Sequence, residues 1–365
     1  MGGNDTSLFK GLNLSFCAQF EFYRAVLDRL PHVKIEIGGL MSDMMQAVTS
    51  RTYGGPEVMK FEQIARPVPN AEQVLIKIAA TSVNPYDWHF LRGKPFFIRL
   101  AASGLMKPKN AVLGADVSGT VEAVGANVTL FKVGDEVFGD VGAGTFAQYT
   151  VADPSKLALK PVKVSHIDAG VVGIAGLTAL QALRDWAEVK AGQKVLINGA
   201  SGGVGTYAVQ IAKAYGAEVT GVCSTQNVAL VRGLGADHVI DYKKEDFTDN
   251  GQTYDVIIDL AANRSIADTK RAMAPMSRWV LVGFNLKNML MGGLFGRWLF
   301  SDSGKAFVLK VAEVVPDDLT ILAEMLASGQ IRSVIDRTYP LKDTPIAIEY
   351  IETMRAKGKV AIEVS

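Results

Sequence analysis

The chain has 365 residues, 38 basic against 37 acidic side chains, and a hydrophobic content of 48%. At roughly 150 residues per domain, this length predicts about two domains with cores of their own, which excludes a disordered chain and a small disulfide scaffold. A formal net charge of +1 provides no general attraction to nucleic acid, so we expect no nucleic-acid partner.

The cysteine content and the length of the apolar runs exclude further classes of protein. Cys17 and Cys223 are the only cysteines, which predicts neither a disulfide framework nor a thiolate zinc site. The longest apolar run, residues 289–300, is shorter than the ~18 residues of a bilayer span. It is also interrupted by Arg297 and by glycines. We therefore expect a reduced, cytoplasmic protein without an integral membrane segment.

Residues 1–44 do not share the pattern of the rest of the chain, because they mix aromatic and acidic side chains without a clean period. They have neither the basic start and apolar core of a secretory signal nor the low acid content of a transit peptide. Two alternatives stay open. The segment is either a loosely attached, non-core extension or the product of an early start codon, with Met41, Met44 or Met45 as later starts.

Regular alternation begins at Gln46 and predicts a β-rich region up to about Pro161. Turns of Gly, Pro and Asn separate short runs of β-branched residues at 47–49, 74–78, 117–124, 136–138 and 146–151. This spacing predicts a small all-β barrel. The next stretch, residues 166–186, is rich in Ala, Leu and Gly and predicts a helix.

From Lys194 onward, strands alternate with helices in the rhythm of βαβ units. The predicted strands are residues 194–198, 218–223, 238–241, 255–260, 279–283 and 307–311. They indicate a parallel, doubly wound sheet. The final elements, a helix at 317–328, a strand at 334–338, a helix at 343–357 and a strand at 360–364, are expected to return to the first domain. We therefore predict two domains. Residues 45–174 and 312–365 form the β-barrel domain, and residues 175–311 form the parallel-sheet domain.

The strongest motif is an apolar strand at 194–198, a glycine-rich turn and a helix at 206–215. This order turns a weak glycine pattern into a dinucleotide-binding one. Gly202 and Gly203 leave room for backbone N–H groups to approach a pyrophosphate, Gly205 lets the helix pack on the strand, and the helix N-terminus favours negative charge. Ala200 stands where the strict pattern has glycine, and a turn without a ligand stays the alternative. The predicted cofactor-binding turn is Gly199, Ala200, Ser201, Gly202, Gly203, Val204 and Gly205.

The residues after the second strand predict which cofactor binds. An acid about twenty positions beyond the turn would bind the ribose 2′-hydroxyl of NAD and repel the 2′-phosphate of NADP. This chain has hydroxyls and amides there, and Arg232, Lys243 and Lys244 are close in sequence. We therefore predict NADP (NADPH), contacted by Ser224, Thr225, Asn227 and Tyr242. The alternative is that Ser224 and Thr225 form only a polar loop.

Five motifs together resemble a known family. They are Tyr-Gly-Gly-Pro-Glu-Val at 53–58, Ser-Val-Asn-Pro-Tyr-Asp at 82–87, Gly-Ala-Asp-Val-Ser-Gly at 114–119, Gly-Asp-Glu-Val-Phe-Gly at 134–139 and the glycine-rich turn. The chain from residue 46 to 365 resembles the medium-chain dehydrogenases/reductases, in the zinc-independent quinone oxidoreductase and enone reductase branch. The resemblance implies an α/β protein with a GroES-like β-barrel domain, a Rossmann domain, a cleft between them, and a homodimer.

Zinc alcohol dehydrogenases of the same superfamily differ from this chain at their metal-binding segments. They carry Gly-His-Glu and a catalytic cysteine where this chain has residues 114–116 and 84–87, and they bind a structural metal through a run of cysteines that is missing here. A tetrahedral zinc site needs several nitrogen or sulfur ligands. Because His89 is the only histidine near the predicted site, we expect no metal.

Without a metal to polarise an alcohol, the expected reaction is hydride delivery to a small hydrophobic quinone or α,β-unsaturated carbonyl. An enolate formed in this way needs a hydrogen-bond donor and a proton. The resemblance places Asn84 near the nicotinamide and makes Tyr86 a candidate donor, with a role as an apolar loop residue as the alternative. We expect Asp87 to be mainly a structural acceptor that fixes the loop, with a catalytic role as the alternative.

The resemblance implies further cofactor-binding residues, and a doubly wound sheet also predicts contacts at its strand ends. They are Thr178 at the domain junction, the strand-end residues Leu260, Ala261, Val282, Gly283 and Phe284, and Lys359 in a C-terminal segment. For Lys359 the alternative is an exposed side chain without a role. Residues 289–300 are expected to form part of the cleft wall or a dimer contact, with a peripheral membrane contact as the weaker alternative.

The leading hypothesis is an NADPH-dependent, metal-free reductase of quinones or α,β-unsaturated carbonyls. Two rivals stay open at this point. One is an alcohol dehydrogenase that recruits zinc. The other is an NADPH-binding sensor or interaction protein without turnover, because a fold alone does not establish an activity.

Overall fold

The structure is a computed structural model that describes residues 44–100, 104–283, 285–300 and 304–364. Met45–Ser365 form one compact unit. The predicted extension up to residue 43 and the predicted cofactor residue Phe284 lie outside the described residues. No helix in these ranges is long and apolar enough to span a membrane.

The first region is mostly strand, as predicted. Its elements are β1 (Met44–Thr49), β2 (Lys60–Ala65), β3 (Val74–Val83), α1 (Pro85–Arg92), β4 (Asp116–Val124), β5 (Glu136–Asp140), β6 (Tyr149–Ala152) and β7 (Leu157–Leu159). The sequence reading missed β2 and β7. β2 alternates exposed and half-buried positions, and β7 has only three residues, so neither has a long apolar run.

The second region begins with helical elements. These are α2 (His166–Ala169), α3 (Gly173–Gln181) and a π-helical turn at Ala182–Trp186. We predicted one helix here, and the structure divides it. At Gly170 a Cβ atom would lie 2.8 Å from the Ala80 carbonyl oxygen, so this position packs directly on β3.

Strands and helices then alternate as predicted. They are β8 (Lys194–Asn198), α4 (Gly203–Ala214), β9 (Glu218–Cys223), α5 (Val228–Gly233), β10 (His238–Asp241), β11 (Tyr254–Asp259), α6 (Ile266–Arg271), β12 (Met273–Leu281), α7 (Leu286–Leu299) and β13 (Ala306–Leu309). The chain ends with α8 (Pro316–Ser328), β14 (Ile335–Pro340), α9 (Thr344–Glu352) and β15 (Lys359–Glu363). α4 begins three residues before its predicted start, so the last glycines of the turn belong to its first turn. α9 ends five residues before its predicted end.

Strand pairing confirms the α/β architecture with a GroES-like part and a Rossmann part. The parallel sheet has the order β10-β9-β8-β11-β12-β13, with every neighbouring pair parallel. The other large sheet has the order β14-β15-β3-β4-β5-β7, with β6 also paired to β3. The last two strands therefore join the sheet of the first region.

Apolar side chains cover both faces of the parallel sheet. On β8, Val195 and Ile197 enter one core cluster and Leu196 enters the cluster on the opposite face. This follows from the two-residue period of a strand, because helices on both sides require every position to be apolar. The polar ends of the strands are left at one edge of the sheet, where the candidate site lies.

Candidate active site

The carboxyl ends of β8 and β11 meet where the strand order of the parallel sheet reverses. Asn198 at the end of β8 is opposite Asp259 at the end of β11, and its amide donates to the Asp259 carboxylate at 2.8 Å. The Ala262 N–H donates to the same carboxylate oxygen at 2.8 Å. In open α/β sheets this reversal point opens the crevice that binds ligands.

Four of the predicted cofactor residues come together at this point. A Cβ atom at Gly199 would lie 3.3 Å from the Leu260 Cβ and 3.5 Å from the Ala261 nitrogen. A Cβ atom at Gly283 would lie 2.4 Å from the Leu260 carbonyl oxygen. The glycines therefore allow the loops after β8, β11 and β12 to converge.

The glycine-rich turn leads directly into α4. Gly199 has a φ of +96°, a left-handed conformation that favours glycine. A Cβ atom at Gly205 would lie 2.2 Å from the Gly199 carbonyl oxygen, so the helix approaches the strand end without room for a side chain. The Gly203 N–H faces the Gly358 carbonyl, because Gly202 and Gly358 form a parallel bridge. Within the described part of the chain, nothing accepts a hydrogen bond from the N–H groups of Val204 and Gly205. Two donors at a helix N-terminus fit a phosphate group.

The residues predicted to bind the adenosine part of the cofactor, which we call the adenosine end of the site, are linked to the turn. Asn227 donates through its amide to the Ser201 hydroxyl at 2.9 Å, which links the segment after β9 to the turn. Ser224 and Asn227 are largely buried, whereas Thr225 and Tyr242 are exposed. The Tyr242 N–H donates to the Cys223 carbonyl at 3.1 Å, so this residue lies at the end of β9.

An acidic residue that we did not predict also lies here. Asp241 ends β10 directly opposite Cys223, the last residue of β9. The Thr225 hydroxyl is the main cause that holds the pKa of Asp241 below its ordinary value, and the Lys243 N–H donates to its carboxylate at 3.1 Å. Lys244 lies 3.7 Å from the same carboxylate. The sequence reading missed it because it searched for an acid only on β9.

On the barrel side, the loop before α1 is held by a buried carboxylate. Asp87 accepts a hydrogen bond from the Asn84 N–H at 2.7 Å and from the Gly114 N–H at 3.1 Å, and its side chain is fully buried. Burial, and then the nearby Asp116 charge, raise the pKa of Asp87 to about 7. These contacts fit the structural acceptor that we expected from Asp87.

Asn84 lies in a buried polar cluster with Asp116 and Lys359, which we call the lysine cluster. Lys359 donates through its ammonium to the Asn84 amide oxygen and lies 3.3 Å from the Asp116 carboxylate. The Asn84 amide nitrogen donates to Asp116 at 3.0 Å and to the Ser82 hydroxyl at 3.3 Å. Both N–H groups of the Asn84 amide are therefore already used within the cluster.

Asp116 receives further donors from two sides. The Ser82 hydroxyl donates to one carboxylate oxygen, and the Ile174 N–H donates to the other at 2.7 Å. Ile174 is in the first turn of α3, so the positive end of this helix points at the carboxylate. A Cβ atom at Gly173 would lie 2.4 Å from the carboxylate, so glycine permits the approach.

The alternative of an exposed Lys359 is wrong. Its side chain is 3% exposed, because pairing of β15 with β3 places it inside the domain junction. Its stem also runs beside the phosphate-binding turn, since a Cβ atom at Gly203 would lie 3.3 Å from its Cδ. The Gly358 N–H donates to the Ser201 carbonyl at 2.8 Å, so the lysine cluster and the turn adjoin each other.

Tyr86 is half-buried beside the junction. Its ring lies 4.1 Å from the Phe90 ring, and its hydroxyl donates to the Gly142 carbonyl at 3.1 Å. Burial is the main cause that raises its pKa to about 12, so it keeps its proton at neutral pH. Together with Leu113 and Lys109 it lines a small pocket on the barrel side.

The remaining predicted residues are placed as follows. Thr178 is buried in α3, and its hydroxyl donates to the Ile174 carbonyl at 2.7 Å within that helix. The Val282 N–H donates to the Asp259 carbonyl at 3.0 Å. Asp116 and Asp259, which we did not nominate, organise the two sides of the site. The available signal was an acid at the first position of β4 and at the last position of β11.

Metal ligands do not cluster in the described ranges: no group of three or more His, Cys, Asp or Glu side chains there is placed to hold a metal ion. His89, the one histidine near the predicted site, stacks on Trp88 with ring centroids 3.6 Å apart. Its Nδ1 lies 2.9 Å from the Lys94 carbonyl oxygen.

Comparison with known proteins agrees with this architecture. Residues 70–162 match the alcohol dehydrogenase GroES-like domain, and residues 234–362 match the zinc-binding dehydrogenase family. The pig (Sus scrofa) quinone oxidoreductase is 34% identical, over 87% of this chain and 98% of that protein. The mouse (Mus musculus) mitochondrial NAD(P)H oxidoreductase RTN4IP1 is 32% identical, over 97% of this chain and 98% of that protein.

Among solved structures, the quinone oxidoreductase from Coxiella burnetii superposes with a TM-score of 0.79 at 29% identity. The match covers 88% of this chain and 100% of that structure. The shared fold, the glycine-rich turn at the sheet reversal and the identity over nearly whole chains lead to one assignment. This chain belongs to the medium-chain dehydrogenase/reductase superfamily, in its quinone oxidoreductase-like branch.

Proposed function

We propose that this protein is an NADPH-dependent reductase that transfers a hydride to a quinone at the junction of its two sheets. The observation that carries the proposal is the start of α4, where the Val204 and Gly205 N–H groups, without acceptors in the described structure, adjoin the lysine cluster. Such a turn fits a pyrophosphate. The names of relatives over nearly the whole chain support an NAD(P)H-dependent reaction with a quinone.

We infer that the cofactor lies along the edge of the parallel sheet formed by the strand ends. In this proposal Val204 and Gly205 bind the pyrophosphate, and the residues after β9 and β10 bind the adenosine end. The loops at Leu260 and Gly283 border the nicotinamide end, where a doubly wound sheet places its ligand. Thr178, Val282 and Phe284 stay predicted contacts of the same path.

The lysine cluster gives this path a fixed electrostatic environment. The single cation of Lys359 offsets the Asp116 carboxylate at 3.3 Å, and the Asn84 amide bridges the two. Since both N–H groups of Asn84 are used, we assign it the role of orienting Lys359 rather than of donating to the acceptor. Lys359 has three ammonium hydrogens, and contacts with the described residues use two of them, so we assign the third to the cofactor.

The reaction requires one hydride and one proton. When bound, reduced nicotinamide supplies the hydride to the acceptor. The quinone gains this hydride and one proton from water and becomes the hydroquinone, so atoms and electrons balance. The chain contributes a wall of Tyr86, Phe90 and Leu113 that can pack on a flat ring.

Tyr86 is the side chain in this wall with a proton to donate. Its raised pKa keeps the phenol protonated, and its hydroxyl donates to the Gly142 carbonyl. We propose that it turns from Gly142 to the acceptor oxygen when the acceptor binds. Hydrogen bonding there stabilises the negative charge that forms on this oxygen.

The proposed preference for NADPH depends on a balance of charges at the adenosine end. No acid ends β9, and Lys243 and Lys244 are exposed at the end of β10. Asp241 is the opposing charge, and it is engaged by Thr225, by a backbone N–H and by Lys244. We propose that this engagement lets the lysines dominate toward a 2′-phosphate.

NADPH oxidation at 340 nm tests the function. The full chain is assayed with chelator present against quinones, enones and enals, with NADH in parallel. We expect quinone-dependent oxidation of NADPH. Tight NADPH binding without oxidation by any acceptor would favour a sensor without turnover, and activity only after zinc addition would favour an alcohol dehydrogenase.

A matched pair of variants tests where the cofactor binds. Gly203→Asp places a carboxylate at the start of α4 and should weaken NADPH binding roughly a hundredfold. Gly233→Asp is the control, because a Cβ atom at this exposed helical glycine contacts nothing within 4 Å. An unchanged dissociation constant in Gly203→Asp would overturn the placement.

A further inference from the structure

The segment between Asp87 and Asp116 has a charge pattern that the proposed reaction does not explain. Residues 88–115 contain Arg92, Lys94, Arg99, Lys107 and Lys109 and no acidic residue, although the charges of the chain as a whole nearly cancel. An excess of five positive charges over 28 residues is a local feature of this chain. It gives one part of the barrel domain a strongly basic surface.

Large apolar side chains lie exposed among these lysines. Met106 is 89% exposed, Leu100 64%, Phe96 60% and Leu105 53%. Soluble domains seldom expose several large apolar side chains together unless the surface binds something. We call the set formed by Lys94, Phe96, Leu100, Leu105, Met106 and Lys107 the basic-apolar surface.

Local contacts connect the two parts of this surface, which precede and follow residues 101–103 in the chain. The Gly104 N–H donates to the Arg99 carbonyl at 3.1 Å, and the Tyr53 hydroxyl donates to the Gly104 carbonyl. The Arg99 guanidinium lies 4.2 Å from the centre of the Tyr53 ring. A Cβ atom at Gly104 would lie 2.5 Å from the Lys107 carbonyl oxygen, so the chain turns tightly between these two residues.

The two lysines of the surface are available to an external partner. Arg92 is paired with Glu352, and Arg99 is held on Tyr53. Lys94 and Lys107 are exposed, and neither has an ion pair with any residue in the described ranges. Of the nearby acidic groups, Glu57 acts on Arg92, and Glu352 acts on Arg92 and His89.

We propose that the basic-apolar surface docks this protein peripherally on a membrane that contains anionic lipid. Exposed lysines beside exposed Phe, Leu and Met side chains match such a membrane in two ways. The ammonium groups meet negative headgroups, and the apolar side chains enter the boundary between headgroups and acyl chains. The partner is therefore a lipid surface rather than a folded protein with a matching cavity.

Membrane docking would also place the acceptor pocket close to the lipid. Pro108, Lys109 and Asn110 follow the surface directly in the chain and line the same pocket as Tyr86. A quinone with a long apolar tail would then reach the pocket without crossing bulk water. This consequence depends on the proposed function, whereas docking itself does not.

Vesicle sedimentation with the full chain tests the docking. Vesicles of phosphatidylcholine alone are compared with vesicles that also contain phosphatidylglycerol. We expect binding to the anionic vesicles, weaker binding at high salt because exposed charges are screened, and little binding to the neutral ones.

Two pairs of variants test which residues are responsible. Lys94→Gln with Lys107→Gln should lower the partition coefficient on the order of 25-fold, at roughly fivefold for each lysine. Phe96→Ser with Met106→Ser should lower it on the order of tenfold. The controls are Lys163→Gln with Lys342→Gln and Val162→Ser with Val311→Ser, which change exposed residues elsewhere.

The outcomes separate docking from catalysis. No binding of the wild type to anionic vesicles, equal binding to both kinds, or equal loss in the control variants would overturn the docking. A change in oligomeric state in Phe96→Ser with Met106→Ser, without vesicle binding by the wild type, would assign the surface to a second copy and also overturn it. Oxidation of NADPH by a water-soluble quinone is measured on every variant. Its absence in a wild type that binds vesicles would refute the proposed function alone.

Discussion

Replacement of Lys359 by Met tests the lysine cluster directly. Methionine keeps most of the volume of the lysine stem and removes the charge. The change leaves the Asp116 carboxylate buried without its cation and leaves the Asn84 amide oxygen without its donor. We expect a less stable protein that also binds NADPH more weakly.

The contacts of Asp116 set the size of the effect. Removing one partner of a buried ion pair costs about 3–5 kcal/mol, because the other charge stays buried without compensation. Three neutral donors remain on Asp116, from Ser82, Asn84 and the Ile174 N–H. The loss in free energy of unfolding should therefore be near the lower end, about 3 kcal/mol.

A double-mutant cycle measures the coupling. The free energy of unfolding is measured by urea denaturation for the wild type, Lys359→Met, Asp116→Asn and the double variant. The double variant has no buried charge to compensate, so it should recover about 2 kcal/mol relative to the sum of the single losses. Additive losses, or a loss below about 1 kcal/mol in Lys359→Met, would refute the coupled pair.

The NADPH affinity of the same four proteins separates the effect of the Lys359 charge on cofactor binding from its effect on stability. Lys359→Met removes a cation beside the phosphate-binding turn and should raise the dissociation constant roughly tenfold. The double variant restores the local net charge and should recover part of this loss. Equal affinity in all four proteins would remove Lys359 from the cofactor site.

Three further variants test single groups. Asp241→Asn removes the acidic charge at the adenosine end and should raise the preference for NADPH over NADH roughly threefold, measured as the ratio of dissociation constants; an unchanged ratio would place the 2′-phosphate elsewhere. Tyr86→Phe should lower kcat with a quinone roughly a hundredfold while NADPH affinity stays the same. An unaltered kcat would mean that Tyr86 only lines the pocket and does not assist the reaction. In the folded protein the pKa of Asp87 is raised to about 7, above its value in the unfolded chain. Between these two pKa values the folded protein therefore holds a proton on Asp87 that the unfolded chain has lost. The resulting stabilisation is present at low pH and is lost as pH rises toward 7. Asp87→Asn should flatten this decline in unfolding free energy by up to about 1.4 kcal/mol per pH unit, and a parallel curve would refute the shift.

Much of the fold could be predicted from local sequence. Continuous apolar strands such as β8 pack on both faces, so they stand out from the alternating strands of the barrel. The glycine-rich turn requires glycine at Gly199 and Gly205 for its own backbone geometry. The turn can therefore be recognised in the sequence without knowledge of how the other elements are arranged. Short or half-exposed strands such as β2 and β7 escaped prediction because they lack an apolar run.

The composition of the candidate site depended more on tertiary pairing. Asn84, Asp116 and Lys359 are far apart in the chain, and only the pairing of β15 with β3 and of β3 with β4 brings them together. The same pairing buries Lys359, for which the sequence left open a cofactor contact or an exposed side chain without a role. Likewise, Asp241 reaches the end of β9 only because β10 lies beside it.

The sequence by itself determined the class of fold, the cofactor turn and the absence of an acid after β9, because each depends on neighbouring residues. Only the tertiary structure decided which charges are buried together and which donors remain free, since burial and hydrogen bonding depend on every strand that reaches the junction.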